Sequence, residues 1–597
     1  MKKKIYNIKK AALVGLMGLM GMTQTGCSDF LEVEPLNQIV FDKFWNEKAD
    51  VDGIIAGCYS AMQDENIVKR MMIWGEFRSD NIAIGRNIDQ DVNLEKVLKE
   101  NIDAKNSYTK WEGFYNIINR CNTVIKYAPG VAAADLSYTQ SELNANIAEM
   151  VGLRSLCYFY LIRAFRDVPF TREAYTDDTQ KMDLPATKFE DVLDSLIYDL
   201  ESVKGLAVKR YPTSKPLYQT GRISQDAIYA MLCEMYLWKK DYQNCIKYAD
   251  LVIESKKLIA KELRSTAKYK NSSSGNTSQS LERFNGFPLI SGNISSNYYG
   301  NAYSKLFGYD DYVDEYNQEI IFQLVFDDNP FASGMMSNQA VSTFYGNNTN
   351  SIGLVAPADF ILEEIASEAF SSRKVFSPSN KLVDARLYEN CNQANSSINK
   401  FTTRSIEIDA TRTDKVGVSY YSLYSDKDVG SNWVIYRLTD IMLLKAEALT
   451  QMLQEGSTQE VIDYNTPILD QAFWLVNAVN KRSVCETTLV DTLVRSDYGT
   501  KSQMETLVYQ ERQRELMFEG KRWFDLVRIS QREGNTQTLT AAALLKASMG
   551  GSVIANKLTK MDAIYWPYNY DELKVNLKLK QNPAFSSGEN DSYAKNY

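Results

Sequence analysis

Residues 507–528 read LVYQERQRELMFEGKRWFDLVR. Charges crowd the first half at Glu511, Arg512, Arg514 and Glu515, and Leu516, Met517 and Phe518 follow. Gly520 interrupts, and Trp523, Phe524, Leu526 and Val527 open a second apolar face among Lys521, Arg522, Asp525 and Arg528. The pattern predicts one helix ending near Glu519, Gly520 as its left-handed cap, and a second short helix. Glu511 and Arg514, like Arg512 and Glu515, lie three apart and are neighbours on a helix. Glu511, Glu515 or Glu519 could supply an acid/base pair. The bases beside each acid favour a packed, salt-bridged hairpin of the scaffold instead.

Outward from this hairpin the helical period continues. In 224–254, Ala227, Ala230, Leu232, Tyr236 and Leu237 share one helix face. Lys240-Asp241-Tyr242 makes a tight turn, and Cys245, Ile246, Ala249, Val252 and Ile253 share the next face. Small residues at the crossing and large ones at the ends resemble a tetratricopeptide helical hairpin. A similar pattern recurs in 440–449, DIMLLKAEAL, followed by 470–480. Copies this far apart imply a helical scaffold broken by an insertion rather than a continuous solenoid. Further helices are expected over 44–62, 108–127, 145–165 and 189–200, the last with Thr187 able to cap. The insertion, 256–432, is rich in Ser, Asn, Gly and Tyr, with EIIFQLVF (319–326) as a short buried strand. WGEFRSDNIAIGRN (74–87) reads as an irregular connection. The expected fold is mostly α, with tetratricopeptide-like hairpins and a loop-rich insertion carrying minor β elements.

Of the 597 residues, 44% are hydrophobic and 24% charged, the balance of a globular protein. Net charge is −8 and no basic run follows the N-terminus, so nucleic acid is not an expected partner. The chain has no His, which removes the commonest general base and the commonest metal ligand. None of the eight cysteines forms a CxxC, and Cys58, Cys121, Cys157 and Cys233 fall in helical apolar patterns, as small core residues do. No cofactor is expected. Asp310, Asp311 and Asp314 cluster, so a calcium ion, adventitious or structural, competes with a plain solvated acidic turn.

The N-terminus is an address. Lys2, Lys3, Lys4, Lys9 and Lys10 precede an apolar stretch, 11–22, too short to span a bilayer, which ends in Thr25-Gly26-Cys27. Residues 1–26 resemble a bacterial lipoprotein signal in which Cys27 is lipidated, with Gln24 departing from the usual aliphatic residue. Ser28, Asp29 and Glu32 behind it resemble the surface-export signal of some outer-membrane lipoproteins.

CSDFLEVEP at 27–35, FRSDN at 77–81, WEGFYNIINRCNTVI, AEMVGLRSLCYFYLIRAFRDVPF, the 440–449 helix, ERQRELMFEGKRWFDLVR and WPYNYDELKVNLKLKQNP together resemble the SusD/RagB family, in family order along the whole mature chain. Trp566-Pro567-Tyr568-Asn569 stands where many members have WPIP-type residues. The resemblance implies a lipid anchor on the outer face of the outer membrane and a helical fold with four tetratricopeptide-like hairpins. It also implies a SusC-like TonB-dependent transporter as partner, and an oligosaccharide or, in the RagB branch, a peptide as ligand. It divides the chain into a signal (1–26), an N-terminal helical region (27–255), the ligand-facing insertion (256–432) and a C-terminal helical region (433–597).

Sugar binding needs flat aromatic faces and polar rims, and no base, metal or nucleophile. Expected ligand contacts are Trp74, Arg78, Asp80, Asn81 and Arg86 in the first loop, and Tyr298, Tyr299, Tyr303 and Tyr309 in the insertion. The alternative for the first loop is a structural turn capped by Asp80. A glycosidase would need two facing acids roughly 5–9.5 Å apart, which spacing alone cannot nominate. A pure helical scaffold is the remaining reading.

Overall fold

The structure, a computed structural model, describes residues 44–177, 179–265, 284–294, 299–307, 318–327, 336–346, 353–366, 384–392, 394–409, 417–423, 430–485 and 493–586. Cys27, Tyr298, Tyr309 and the Asp310–Asp311–Asp314 cluster lie outside the described residues.

The scaffold is helical. Its N-terminal part holds α1 (Lys48–Met62), α2 (Glu65–Met72), α3 (Glu112–Ala134), α4 (Gln140–Phe165) and α5 (Phe189–Val203). The hairpin α6 (Gln225–Trp238) and α7 (Tyr242–Ser265) follows, then α8 (Leu438–Gln451) and α9 (Gln459–Ser483), then α10 (Lys501–Leu516) and α11 (Arg522–Glu533). Neighbours pack in succession: α1 on α3, α3 on α4, α4 on α5, α6 on α7, α7 on α8, and α8 on both α9 and α10. The insertion leaves the scaffold between α7 and α8, yet those helices pack on each other.

Local chemistry sets several helix starts. Thr139 and Glu142 form a reciprocal capping box on α4, and Thr500 and Gln503 form one on α10. Ser224 accepts from the Ala227 N–H and caps α6. Thr187 does not cap α5. It pairs with Val168 in a two-residue ladder, and Asp167 accepts the Phe189 N–H instead. Helix α7 runs to Ser265, ten residues past the expected boundary at 255.

Strands are short. Strand β1 (Ile82–Ile84) lies antiparallel to β3 (Val355–Pro357), with Ile82 opposite Pro357. Strand β2 (Ile320–Leu324), the expected buried strand, pairs antiparallel with β6 (Trp433–Arg437) through an irregular register. Strands β4 (Thr403–Asp409) and β5 (Gly417–Leu423) form a ribbon that Tyr299 extends opposite Ile408. One hydrophobic core runs from Val51 in α1 to Leu579. The seven described cysteines are buried as thiols, outside any disulfide. Among the described residues no helix is long and apolar enough to cross a membrane.

The 507–528 stretch folds as two helices with a sharper break than its spacing suggested. Helix α10 stops at Leu516, and Phe518 (φ 69°) and Gly520 (φ 72°) both take the left-handed conformation before α11. Gly520 has a reason to be glycine beyond its φ: an added Cβ would sit 3.1 Å from the Met71 carbonyl oxygen.

Candidate functional site

The loop 73–81 and the α10–α11 break are one unit. A π-helical turn, Ile73–Phe77, aims Glu76 into the break. One Glu76 oxygen accepts from the Phe518 N–H (3.0 Å) and the Asn81 amide (2.8 Å), and the other from the Lys521 (3.1 Å) and Arg522 (3.3 Å) N–H groups. Glu76 thus takes the Lys521 and Arg522 N–H groups, two of the orphan donors at the start of α11. Burial pushes the Glu76 carboxyl up to about 7, against those hydrogen bonds. Asp80 takes the Arg522 guanidinium through both oxygens, at 2.9 and 3.0 Å, and the Gln513 amide bridges Asp80 and Asn81. Burial raises the Asp80 carboxyl, but the charge and hydrogen bonds of Arg522, with backbone hydrogen bonding and Lys546, leave it lowered on balance. Arg78 stacks on Trp523, 4.3 Å from its ring, pairs with Glu100, and donates to the Ala563 and Ile564 carbonyls.

Behind this unit lies a buried charge cluster. Glu515 receives Arg386, Arg437 and Arg482, and Glu319 receives Arg437 and Arg482. Glu519 takes Arg437 and Lys400, while Glu511 takes Arg386 and Arg514. Of the two pairs expected along α10, Glu511–Arg514 forms, at 2.5 Å. Arg512 turns away from Glu515, to Asp440 and Asp525. Burial raises the Glu515 carboxyl, but its three guanidinium partners hold it well below the ordinary range. Glu515, held this way, is a fixed anion.

These facts correct the first-loop expectation. Trp74, Arg78, Asp80 and Asn81 are 2% exposed or less, and each has protein partners. The Trp74 indole N–H donates to the Tyr108 carbonyl and its ring stacks on Phe114. Tyr303 is likewise inside, its hydroxyl donating to the Glu515 carbonyl. Tyr299 is packed with Ile406 and Ile408. Arg86 alone of the described candidates is exposed, two residues beyond the end of β1.

An open cleft of about 470 Å³ lies along β1 and β3. Its polar rim is Lys99, Asp359, Ser396 and Ser548, and Ile84, Pro357, Leu362 and Met549 are among its apolar walls. The Gly85 N–H donates to the Leu354 carbonyl and extends the wall. Ser396 holds a left-handed φ of 55°, a strained conformation of the kind that collects at functional sites. The Lys99 ammonium is steadied by Glu95, and Lys557 donates to the Lys99 carbonyl. The cleft offers hydroxyls, one acid, one base and aliphatic walls, which suits a neutral polyhydroxylated ligand. Its rim comes from separate stretches near 99, 359, 396 and 548, so no local motif marks it. Among the described residues, no group of three or more His, Cys, Asp and Glu could hold a metal ion.

Residues 318–585 match a family model described as the SusD family, and residues 29–237 match one described as starch-binding and associating with the outer membrane. SusD-like protein P38 of Formosa agariphila is 25% identical, the alignment covering 98% of this chain and all of that protein. SusD-like protein P2 of the same organism is 23% identical over 85% of this chain and 88% of its own. Among solved structures, a SusD superfamily protein from Bacteroides vulgatus superposes with a TM-score of 0.60 at 17% identity, covering 91% of this chain and 100% of that one. A laminarin-binding SusD-like protein superposes at 0.57 and 18% identity, covering 90% and 100%.

Proposed function

Because this chain belongs to the SusD family, we propose that it is a surface lipoprotein that captures oligosaccharides or polysaccharide fragments and passes them to a SusC-like TonB-dependent transporter. The observation that carries the reading is the full-length likeness to SusD-like proteins, one of which binds laminarin. Lipidation at Cys27 and docking on the transporter follow from the family and from the signal-like residues 1–26. The protein acts by binding alone, which agrees with carboxylates locked by arginines in the charge cluster. For the ligand contacts we propose the cleft rim, Lys99, Asp359, Ser396 and Ser548, and Arg86, exposed two residues beyond the wall residue Ile84.

The test is a glycan array followed by calorimetry on the unacylated mature chain. Binding of a polysaccharide, weakened about tenfold by Lys99→Ala with Asp359→Ala, is expected, since each removes a charged hydrogen-bonding group. A protein that binds no glycan, but binds peptides, overturns the reading in favour of a RagB-like peptide carrier. One feature favours that second reading: two strands wall the cleft, and an extended peptide can add to a strand edge. Glycan affinity untouched in the double variant places the site elsewhere.

A further inference from the structure

The end of the chain returns along the N-terminal scaffold. A short helix, Tyr570–Val575, is followed by NLKLK at 576–580. Leu579 turns into the core, whereas Val575 and Leu577 are 82% and 80% exposed. The Asn576 amide donates to the Leu184 carbonyl and the Lys578 ammonium to the Asp183 carbonyl, both at 2.7 Å. These bonds fix 182–184 beside 575–578, and Met182 is itself 58% exposed. Lys181, Lys574 and Lys580 are exposed among these apolar groups.

The acids of this edge are already engaged. Asp183 faces Lys578 at 2.9 Å and Asp571 faces Lys110 at 3.5 Å, while Glu572 is half-buried. The edge therefore carries a surplus of ammonium groups on a chain whose net charge is negative. Exposed aliphatic side chains gathered in one patch, unlike single ones, mark an interaction surface. Valine, leucine and methionine interleaved with lysine suit the boundary between acyl chains and anionic headgroups, where lysine stems lie along apolar groups and their charges stay at the phosphates.

The tether allows this contact. Helix α3 carries Asn119 and Asn122, which bond the strip 173–175 leading to Met182, and also Tyr127, on which Trp45 stacks. The sixteen residues between Cys27 and Phe44 reach at most about 55–60 Å. We propose that the edge formed by Met182, Lys574, Val575, Leu577 and Lys580 rests against an anionic lipid surface. This rests on the reading that the chain is held at the outer membrane, where basic side chains near an anionic surface add to the attraction.

The test uses the mature chain with Cys27→Ser, so that no acyl chain attaches. It is sedimented with vesicles of phosphatidylcholine alone and of phosphatidylcholine with phosphatidylglycerol. Pelleting with the anionic vesicles only is expected, weakening as salt rises. Lys574→Glu with Lys580→Glu should cut it about tenfold or more, and Val575→Ser with Leu577→Ser should also reduce it, with unchanged melting temperatures. Absence of pelleting, equal pelleting with neutral vesicles, or indifference to both double variants overturns the proposal. So does a self-association that Val575→Ser with Leu577→Ser abolishes while vesicle binding stays unchanged, which would make the edge an interface between copies. Glycan affinity measured on the same samples reports separately on the carrier reading.

Discussion

Lys546 holds a buried ammonium with no hydrogen-bond partner among the described residues, in the turn that leads to Ser548 and Met549. Burial pushes it down to about 8, and Glu100 and Asp80 only partly oppose this. Because its folded pKa lies below the ordinary 10.5, the unfolded chain binds more protons between those values. Stability therefore rises as pH climbs from 8 towards 10.5, and the full penalty stands at pH 7. Lys546→Met should raise stability at pH 7 by about 1–3 kcal/mol, with a gain that shrinks by pH 10, measured by urea unfolding at both. Asp440 has the opposite sign. Burial would raise it, but Lys521 and Arg512 hold it at about 2, below the ordinary 3.8. Its contribution is present above 3.8 and is lost as pH falls towards 2. Asp440→Asn should lower stability at neutral pH by roughly 3–5 kcal/mol and flatten the acid limb of the unfolding curve. Both side chains are ordinary in the sequence. Their charges become unusual because distant residues exclude water from them.

Among the elements, the π-helical turn and the α10–α11 break show how closely two backbones meet. A Cβ on Gly75 would lie 2.0 Å from the Gly520 carbonyl oxygen, a rigid obstacle. Gly75→Ala should cost about 3 kcal/mol or more, because the turn must move and Glu76 with it. Gly53 faces open space on exposed α1, and Gly53→Ala should be neutral or stabilising by about 0.5–1 kcal/mol. Thermal denaturation of the two variants separates them. The helices themselves were legible in the sequence, since apolar residues at three and four are a local signal, whereas the one N-terminal helix cap read from it, Thr187, does not cap α5. The break was only half legible. Gly520 announced a turn, but Phe518 takes a positive φ that nothing in its neighbours predicts; its environment, with Tyr345 donating to the Phe518 carbonyl, accompanies it.

Across the whole molecule, the charge cluster and the cleft proposed for binding lie in different regions. Arg437 ties Glu319 to Glu515 and Glu519, acids from two distant stretches, in one buried group. Arg437→Ala should lower the melting temperature strongly, by about 3–5 kcal/mol of stability, with glycan affinity of the folded fraction kept. Lys99→Ala with Asp359→Ala should do the reverse. A melting temperature unmoved by Arg437→Ala would deny the cluster its structural role. The sequence by itself determined the helical scaffold, its interruption between α7 and α8, and the family, because these rest on residue periodicity and on motifs each contained in one stretch. It misjudged WGEFRSDN as a ligand loop, because Asn, Asp and Arg beside aromatics have the same composition whether they face water or buried charges. The tertiary structure decided that question by bringing residues more than 400 positions away against Glu76, Arg78 and Asp80. It alone assembled the cleft, whose rim residues are isolated in the chain and adjacent only once β1, β3 and the turn at 548 are packed together.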